Sequence, residues 1–186
     1  MAQLANSESD INCILINSNL SQTELNFHGT HELMHIYLPS ESKGTTFRCY
    51  DKIRPYQDSY LEWLANEGAA ELLMPYKWFI VDFSELYKLY STDRTRWIQH
   101  YQFFTPFDLL AHKYHVSTMV VKNRIRNLSY EIQQYNQGVD INRIRILSNT
   151  QQERLGIQSF DYAEEIEHLI MIYDFGLAWD SVISIE

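Results

Sequence analysis

Cysteine, proline, glycine and positive charge are all scarce in this chain of 186 residues. Two cysteines, Cys13 and Cys49, cannot build a disulfide framework, so we expect two reduced thiols in a cytoplasmic protein. Four prolines and six glycines are too few for a linker-rich, collagenous or disordered chain. No run approaches the roughly 20 apolar residues that a membrane helix needs. The N-terminal stretch also lacks the basic start and apolar centre of a signal peptide. Lys and Arg number 15 against 24 Asp and Glu, giving a net charge of −9 and a pI near 5.2. That balance excludes a broad basic surface for nucleic acid.

What is present is ordinary for a globular protein, apart from the aromatics. Apolar residues make up 45% of the chain, and 13 tyrosines raise the aromatic share to 14%, which points to a packed core. The acidity is uneven: between Glu153 and Glu186 there are eight acids and one base, Arg154. The rest of the chain is nearly neutral, leaving room for a local basic face.

Periodicity gives a coarse map. Residues 1–10 are polar and read as frayed. Ile11–Ile16 is short, β-branched and apolar, a strand followed by Asn-Ser-Asn turn chemistry. A helix is expected from about Thr30 to Leu38, then an aperiodic loop over 39–55. Helical spacing of Leu61, Leu64, Ala65, Leu72 and Leu73 marks a second helix ending at Pro75, with a third behind it. Thr105-Pro106 caps PFDLLAHKY, His115-Val116 turns, and Ser117 opens a helix that Gly138 stops. Arg143–Leu147 alternates as a second strand would, and a last helix covers 161–173. The fold class expected is α+β and predominantly helical.

The chemistry starts at His31-Glu32-Leu33-Met34-His35. On a helix, positions i and i+4 share a face, so both imidazoles can reach one ion. Zinc suits such donors and keeps an open position for water in catalytic sites. Glu32, on the adjacent face, can take a proton from that water without ligating. A third ligand is available on the next helix, EWLANEGAAELLMP. There Glu62 and Asn66 are again i and i+4, and Asn66 can hydrogen-bond a metal-bound imidazole. Gly68-Ala69-Ala70 lets the two helices approach closely. Spacing alone does not choose among Glu62, Glu67 and Glu71.

The two strings, about 27 residues apart, together resemble the ImmA/IrrE family of metallopeptidases. Its members pair H-E-x-x-H with a helix of the type E-x-x-x-N-x-x-A-A-x-L-L-M-P, and the resemblance covers roughly residues 11–130. It departs from the family at Gly29-Thr30, where an apolar-Ala pair is common. The resemblance implies a small zincin-like, gluzincin-type core with a short sheet over 1–100 and a helix-turn-helix-like pair over 101–138; beyond it, 139–186 is expected to be a separate acidic segment. It selects Glu62 as third ligand beside His31 and His35, with Glu32 as catalytic base and Asn66 behind the ligands. It implies Zn2+, with Mn2+ compatible with the same donors. It further implies a cytoplasmic endopeptidase that cleaves a helix-turn-helix repressor and so relieves repression of a mobile element or stress regulon. His28, Tyr50, Tyr56, Tyr60 and Tyr76 are candidates for steadying the oxyanion, and none stands out.

A different class of function competes with this one: a non-catalytic anti-repressor or protein-binding module with a structural metal. Residues 105–138 also resemble a helix-turn-helix, with Leu109, Leu110, Val116, Val120, Ile125 and Leu128 facing inward and Lys113, Lys122, Arg124 and Arg126 outward. Four bases on so acidic a chain supply few phosphate contacts, so DNA binding is expected to be weak or absent. A structural hairpin or docking surface is the preferred reading of this pair. The sequence does not give an oligomeric state.

Overall fold

The computed structural model describes the backbone of residues 2–6, 12–38 and 59–183, and the side chains of 13–38 and 60–173. Cys49, Tyr50, Tyr56 and the 39–55 loop lie outside the described residues. In chain order the elements are β1 (Ala2–Asn6), β2 (Asn12–Ile16), α1 (Gln22–Tyr37), α2 (Ser59–Leu73), α3 (Tyr76–Thr92), α4 (Arg94–Tyr101), α5 (Pro106–Tyr114), α6 (Thr118–Asn127), α7 (Ser129–Asn136), α8 (Asn149–Arg154) and α9 (Tyr162–Ile183). The protein is predominantly helical with one small sheet among the described residues, an α+β fold. None of the described helices is long and apolar enough to cross a membrane.

Spatial contacts divide the chain into two compact units: one runs to Pro75 and includes Tyr114–Ser117, and the other holds Tyr76–Lys113 and Thr118–Glu186. In the first unit, β1 and β2 pair antiparallel with Ala2 opposite Ile16 and Asn6 opposite Asn12. Residues 2–6 are therefore a strand and not a frayed end; the apolar edge of β2 gives the polar segment a partner for its backbone groups. Helix α1 begins eight residues before Thr30. Ser21 and Glu24 form a reciprocal capping box there, which satisfies the first orphan amides and lets the helix start in polar sequence. Helix α1 packs on both α2 and the sheet.

In the second unit, α3 packs on α4, α7 and α9, while α6 packs on α7 and α9. Its core is aromatic. Phe79 and Phe83 stack on successive turns of α3, Phe83 meets the edge of Tyr162 at 5.8 Å, and Tyr90 meets Trp97 at 4.8 Å. The buried Trp97 donates its indole N–H to the carbonyl of Phe104 at 2.9 Å. Thr105 and Asp108 cap α5 reciprocally, and His115 takes the left-handed conformation (φ 54°) after it.

Three expectations change here. The helix opened by Ser117 breaks at Leu128 into α6 and α7, where the buried Ser129 hydroxyl donates to the carbonyl of Ile125 at 2.9 Å, a back-bond that bends helices. Gly138, at φ +91°, then stops α7 as expected. Arg143–Leu147 is not a strand. Its backbone is held by side chains of α7: Gln134 bonds both Arg145 N–H and Arg145 C=O, and Glu131 accepts the Leu147 N–H at 3.0 Å. Arg124 is buried, 4% exposed, whereas Leu109 and Val120 are half-buried. The other inward residues, Leu110, Val116, Ile125 and Leu128, are buried as expected.

Candidate metal centre

Helix α1 sets His31 and His35 one turn apart on its inward face. Their rings sit 4.8 Å apart at 76°, with the two Nε2 atoms separated by 3.1 Å. Both residues are 5% exposed. The close approach of α2 follows from its small residues. Ala65 and Ala69 are completely buried, and a Cβ built on Gly68 would lie 2.6 Å from the sulfur of Met34 on α1. A larger side chain at 68 would push the helices apart.

That proximity brings the Glu62 carboxylate to the imidazoles. Oε2 is 3.3 Å from His31 Nε2, and Oε1 is 3.5 Å from His35 Nε2. Each of the three side chains offers one ligand atom, and those atoms all lie within 4.8 Å of one another. Glu67 and Glu71 belong to no such group among the described residues. Burial by itself would raise the pKa of Glu62. The hydrogen bonds from His31 and His35 and the proximity of their charge outweigh that cost and hold it at about 2. Glu62 is thus an anion facing two imidazoles.

Asn66 lies one turn beyond Glu62, with its Oδ1 2.9 Å from His31 Nδ1. A carboxamide oxygen only accepts, so Nδ1 carries a proton, and the Nε2 proton that faces Glu62 is the one a bound cation would replace. Electron-rich donor atoms converging this closely in a buried place are stable around a cation. The set of two nitrogens and one carboxylate fits zinc and does not exclude manganese.

Glu32 is completely buried, and neither of its carboxylate oxygens has a hydrogen-bond partner among the described residues. Leaving a carboxylate so costs several kcal/mol unless something at the site answers it. An orphaned carboxylate following His31 directly in sequence fits an ion with an open position for water better than a closed structural site. The oxyanion candidates stay undistinguished. His28 is half-buried edge-on to Phe27, Tyr60 is exposed and stacked on Trp63 at 6.1 Å, and Tyr76 is half-buried.

One support escaped the sequence reading. Asn26, on α1, donates its amide to the carbonyl of His115 at 2.8 Å, tying the helix to the turn at 114–117. His115 has a left-handed backbone at that point, a conformation that no local pattern announces.

No curated protein and no solved structure matches the chain. A peptidase family model, described as the IrrE N-terminal-like domain, matches residues 2–126, about two thirds of the sequence. The match spans His31, Glu32, His35, Glu62 and Asn66, and so this chain belongs to the peptidase family of IrrE N-terminal-like domains.

Proposed function

We propose that the protein is a metal-dependent endopeptidase of the ImmA/IrrE type, acting in the cytoplasm on a helix-turn-helix transcriptional repressor. His31, His35 and Glu62 hold the metal, which we assign as zinc. When bound, a divalent ion in such a set lowers the pKa of water toward about 7 and polarises the scissile carbonyl. Glu32 takes the proton of the attacking water and returns it to the leaving amine. Asn66 keeps His31 in the Nδ1–H tautomer, so that Nε2 stays available.

The observation that carries this reading is Glu32. A non-catalytic anti-repressor with a structural metal has no use for a buried carboxylate that follows a ligand in sequence and has no partner among the described residues. The purified chain, incubated with the repressor encoded next to it, should produce discrete fragments, and a chelator should stop the cleavage. Glu32→Gln should lower the rate by about a thousandfold or more at unchanged metal content. A repressor that binds tightly but stays intact with the wild-type protein would favour the binding module instead.

A further inference from the structure

The segment Arg143–Leu147 is bonded along one side as a strand would be, although no strand lies there. Gln134 of α7 accepts the N–H of Arg145 at 3.0 Å and donates from its Nε2 to the carbonyl of the same residue at 2.8 Å. Two residues on, Glu131 accepts the N–H of Leu147 at 3.0 Å, and Gln152 of α8 donates to the Leu147 carbonyl at 2.9 Å. Three side chains thus do for alternate residues what a neighbouring strand does. Alternate backbone groups turn to one side in an extended chain, and Ser148, which follows, is extended as well (φ −64°, ψ 157°).

The intervening residues face the other way. Among the described residues, neither the N–H nor the C=O of Ile144 or Ile146 has a hydrogen-bond partner. Ile146 is 56% exposed, and Arg143 and Arg145 are exposed on either side of Ile144. Backbone groups left unbonded at such a place meet water. Two donors and two acceptors therefore stand along one line, on residues about 6.6 Å apart, as on the edge of a sheet. The bonded side is anchored by the buried Glu131 and Gln152. The edge is thus set before anything docks, which lowers the ordering cost of binding.

The side chains decide which strand fits. Lys113, Lys122 and Arg126 are each paired with acids of the chain, whereas Arg143 and Arg145 make no ion pair among the described residues. Lys77 adds a third positive charge at the start of the segment, where its Nζ donates to Asn142 Oδ1 at 2.9 Å. Arginine forks pair well with carboxylates, and opposite charges on facing strands attract. A second copy of the same edge would set arginine against arginine, which repels.

We infer that the open edge of Arg143–Leu147 takes up an extended acidic segment of a partner protein as an added strand, with acids opposite Arg143 and Arg145 and apolar residues opposite Ile144 and Ile146. Main-chain bonds then give the affinity, and the alternating side chains give the selection. All of these residues belong to the second compact unit and none to the metal centre, so the site does not depend on how that centre works.

The test is amide NMR and hydrogen exchange on the full-length 15N-labelled protein. The probe is the peptide acetyl-Thr-Val-Glu-Val-Glu-Val-Thr-amide, whose pattern reads the same in both directions and so suits a parallel or an antiparallel partner. Saturable shifts centred on Ile144 and Ile146 are expected, with exchange of those two amides slowed about tenfold or more at saturation. Charge reversal at the exposed arginines (R143E with R145E) should weaken binding about tenfold. A peptide with lysine in place of both glutamates should fail to saturate, and so should one N-methylated at its valine and glutamate amides, which keeps the charges but cannot pair as a strand. No saturation, shifts without slowed exchange at Ile144 and Ile146, or equal binding of either control peptide would overturn the inference.

Discussion

Gly68 of α2 and Met34 of α1 are closer than any side chain at position 68 would permit, since its Cβ would stand 2.6 Å from the Met34 sulfur and 3.1 Å from Cγ. Alanine gains about 1 kcal/mol of helix propensity over glycine. Overpacking costs about 1–3 kcal/mol, and the clash reaches Cγ, so Met34 cannot simply swing its tip aside. Gly68→Ala should therefore lower the melting temperature by a few degrees. It should also weaken metal retention, because Met34 adjoins His35. At Gly29 the new Cβ would meet only Ile16 Cδ1, at 3.4 Å, so Gly29→Ala should leave stability unchanged or slightly raised. Thermal unfolding of the two variants side by side measures the difference, and equal melting temperatures would remove the close-approach argument.

The second prediction concerns the ligands. Metal analysis of the purified chain should give about one divalent ion per molecule, dropping to near zero in Glu62→Ala and staying whole in Glu67→Ala and Glu71→Ala. Asn66→Ala should retain the ion but lose it to a chelator about 10–100 times more readily, as expected when a hydrogen bond behind a ligand is removed. Retention of the metal by Glu62→Ala would mean another carboxylate ligates.

How far these sites were legible depended on whether their cause was local. The i,i+4 spacings of His31 with His35 and of Glu62 with Asn66 fix which side chains share a face, and helix geometry did the rest. The choice among Glu62, Glu67 and Glu71 was not local; it needed the resemblance, because all three are carboxylates on one helix. The capping box at Ser21 was present in the sequence as S-x-x-E, but the polar run after it hid the start of α1. Arg143–Leu147 has a strand's alternation and still forms none, since Gln134 and Glu131 satisfy backbone groups that a neighbouring strand would otherwise hold. The burial of Arg124 within α6 is likewise a matter of what packs around it, which periodicity does not report.

The third prediction follows from acid titration of the metal-free protein. Glu62 titrates at about 2 when folded, against an ordinary 4.5. Its ionised form is favoured by folding, so this stabilisation is complete above pH 4.5 and disappears as pH falls toward 2, on the order of 2 kcal/mol. Glu131 works in the opposite direction. Burial raises its pKa more than the Leu147 N–H and the Arg124 charge lower it, so it costs stability progressively as pH rises above 4.5. Denaturant unfolding at a series of pH values should show a shallower acid loss in Glu62→Gln. In Glu131→Gln the fall in stability on raising pH past 4.5 should be reduced. Curves parallel to wild type in both variants would show that neither carboxylate is responsible.

The last prediction concerns the helix-turn-helix-like pair and DNA. Arg124 is inside the second unit, and the other bases already have anionic partners there. Lys122 Nζ lies 2.8 Å from Glu167, Arg126 lies 3.6 Å from both Asp161 and Glu167, and Lys113 lies 2.6 Å from Asp82. The acids of α9 and the segment before it thus cover part of the basic face. Each phosphate neutralised on B-DNA contributes about 0.9 to the slope of log affinity against log salt. With its bases paired in this way, the wild-type protein should bind duplex weakly, with a slope magnitude below about 2 and no sequence preference. Replacing the covering carboxylates, in an Asp161→Asn, Glu167→Gln double variant, should release Lys122 and Arg126 and steepen the slope by about 2. Fluorescence anisotropy with a labelled duplex at several salt concentrations reads both proteins. Tight, steeply salt-dependent and sequence-specific binding by the wild type would make this face a reader of DNA, and the pairing with α9 would then have to open on contact with the duplex.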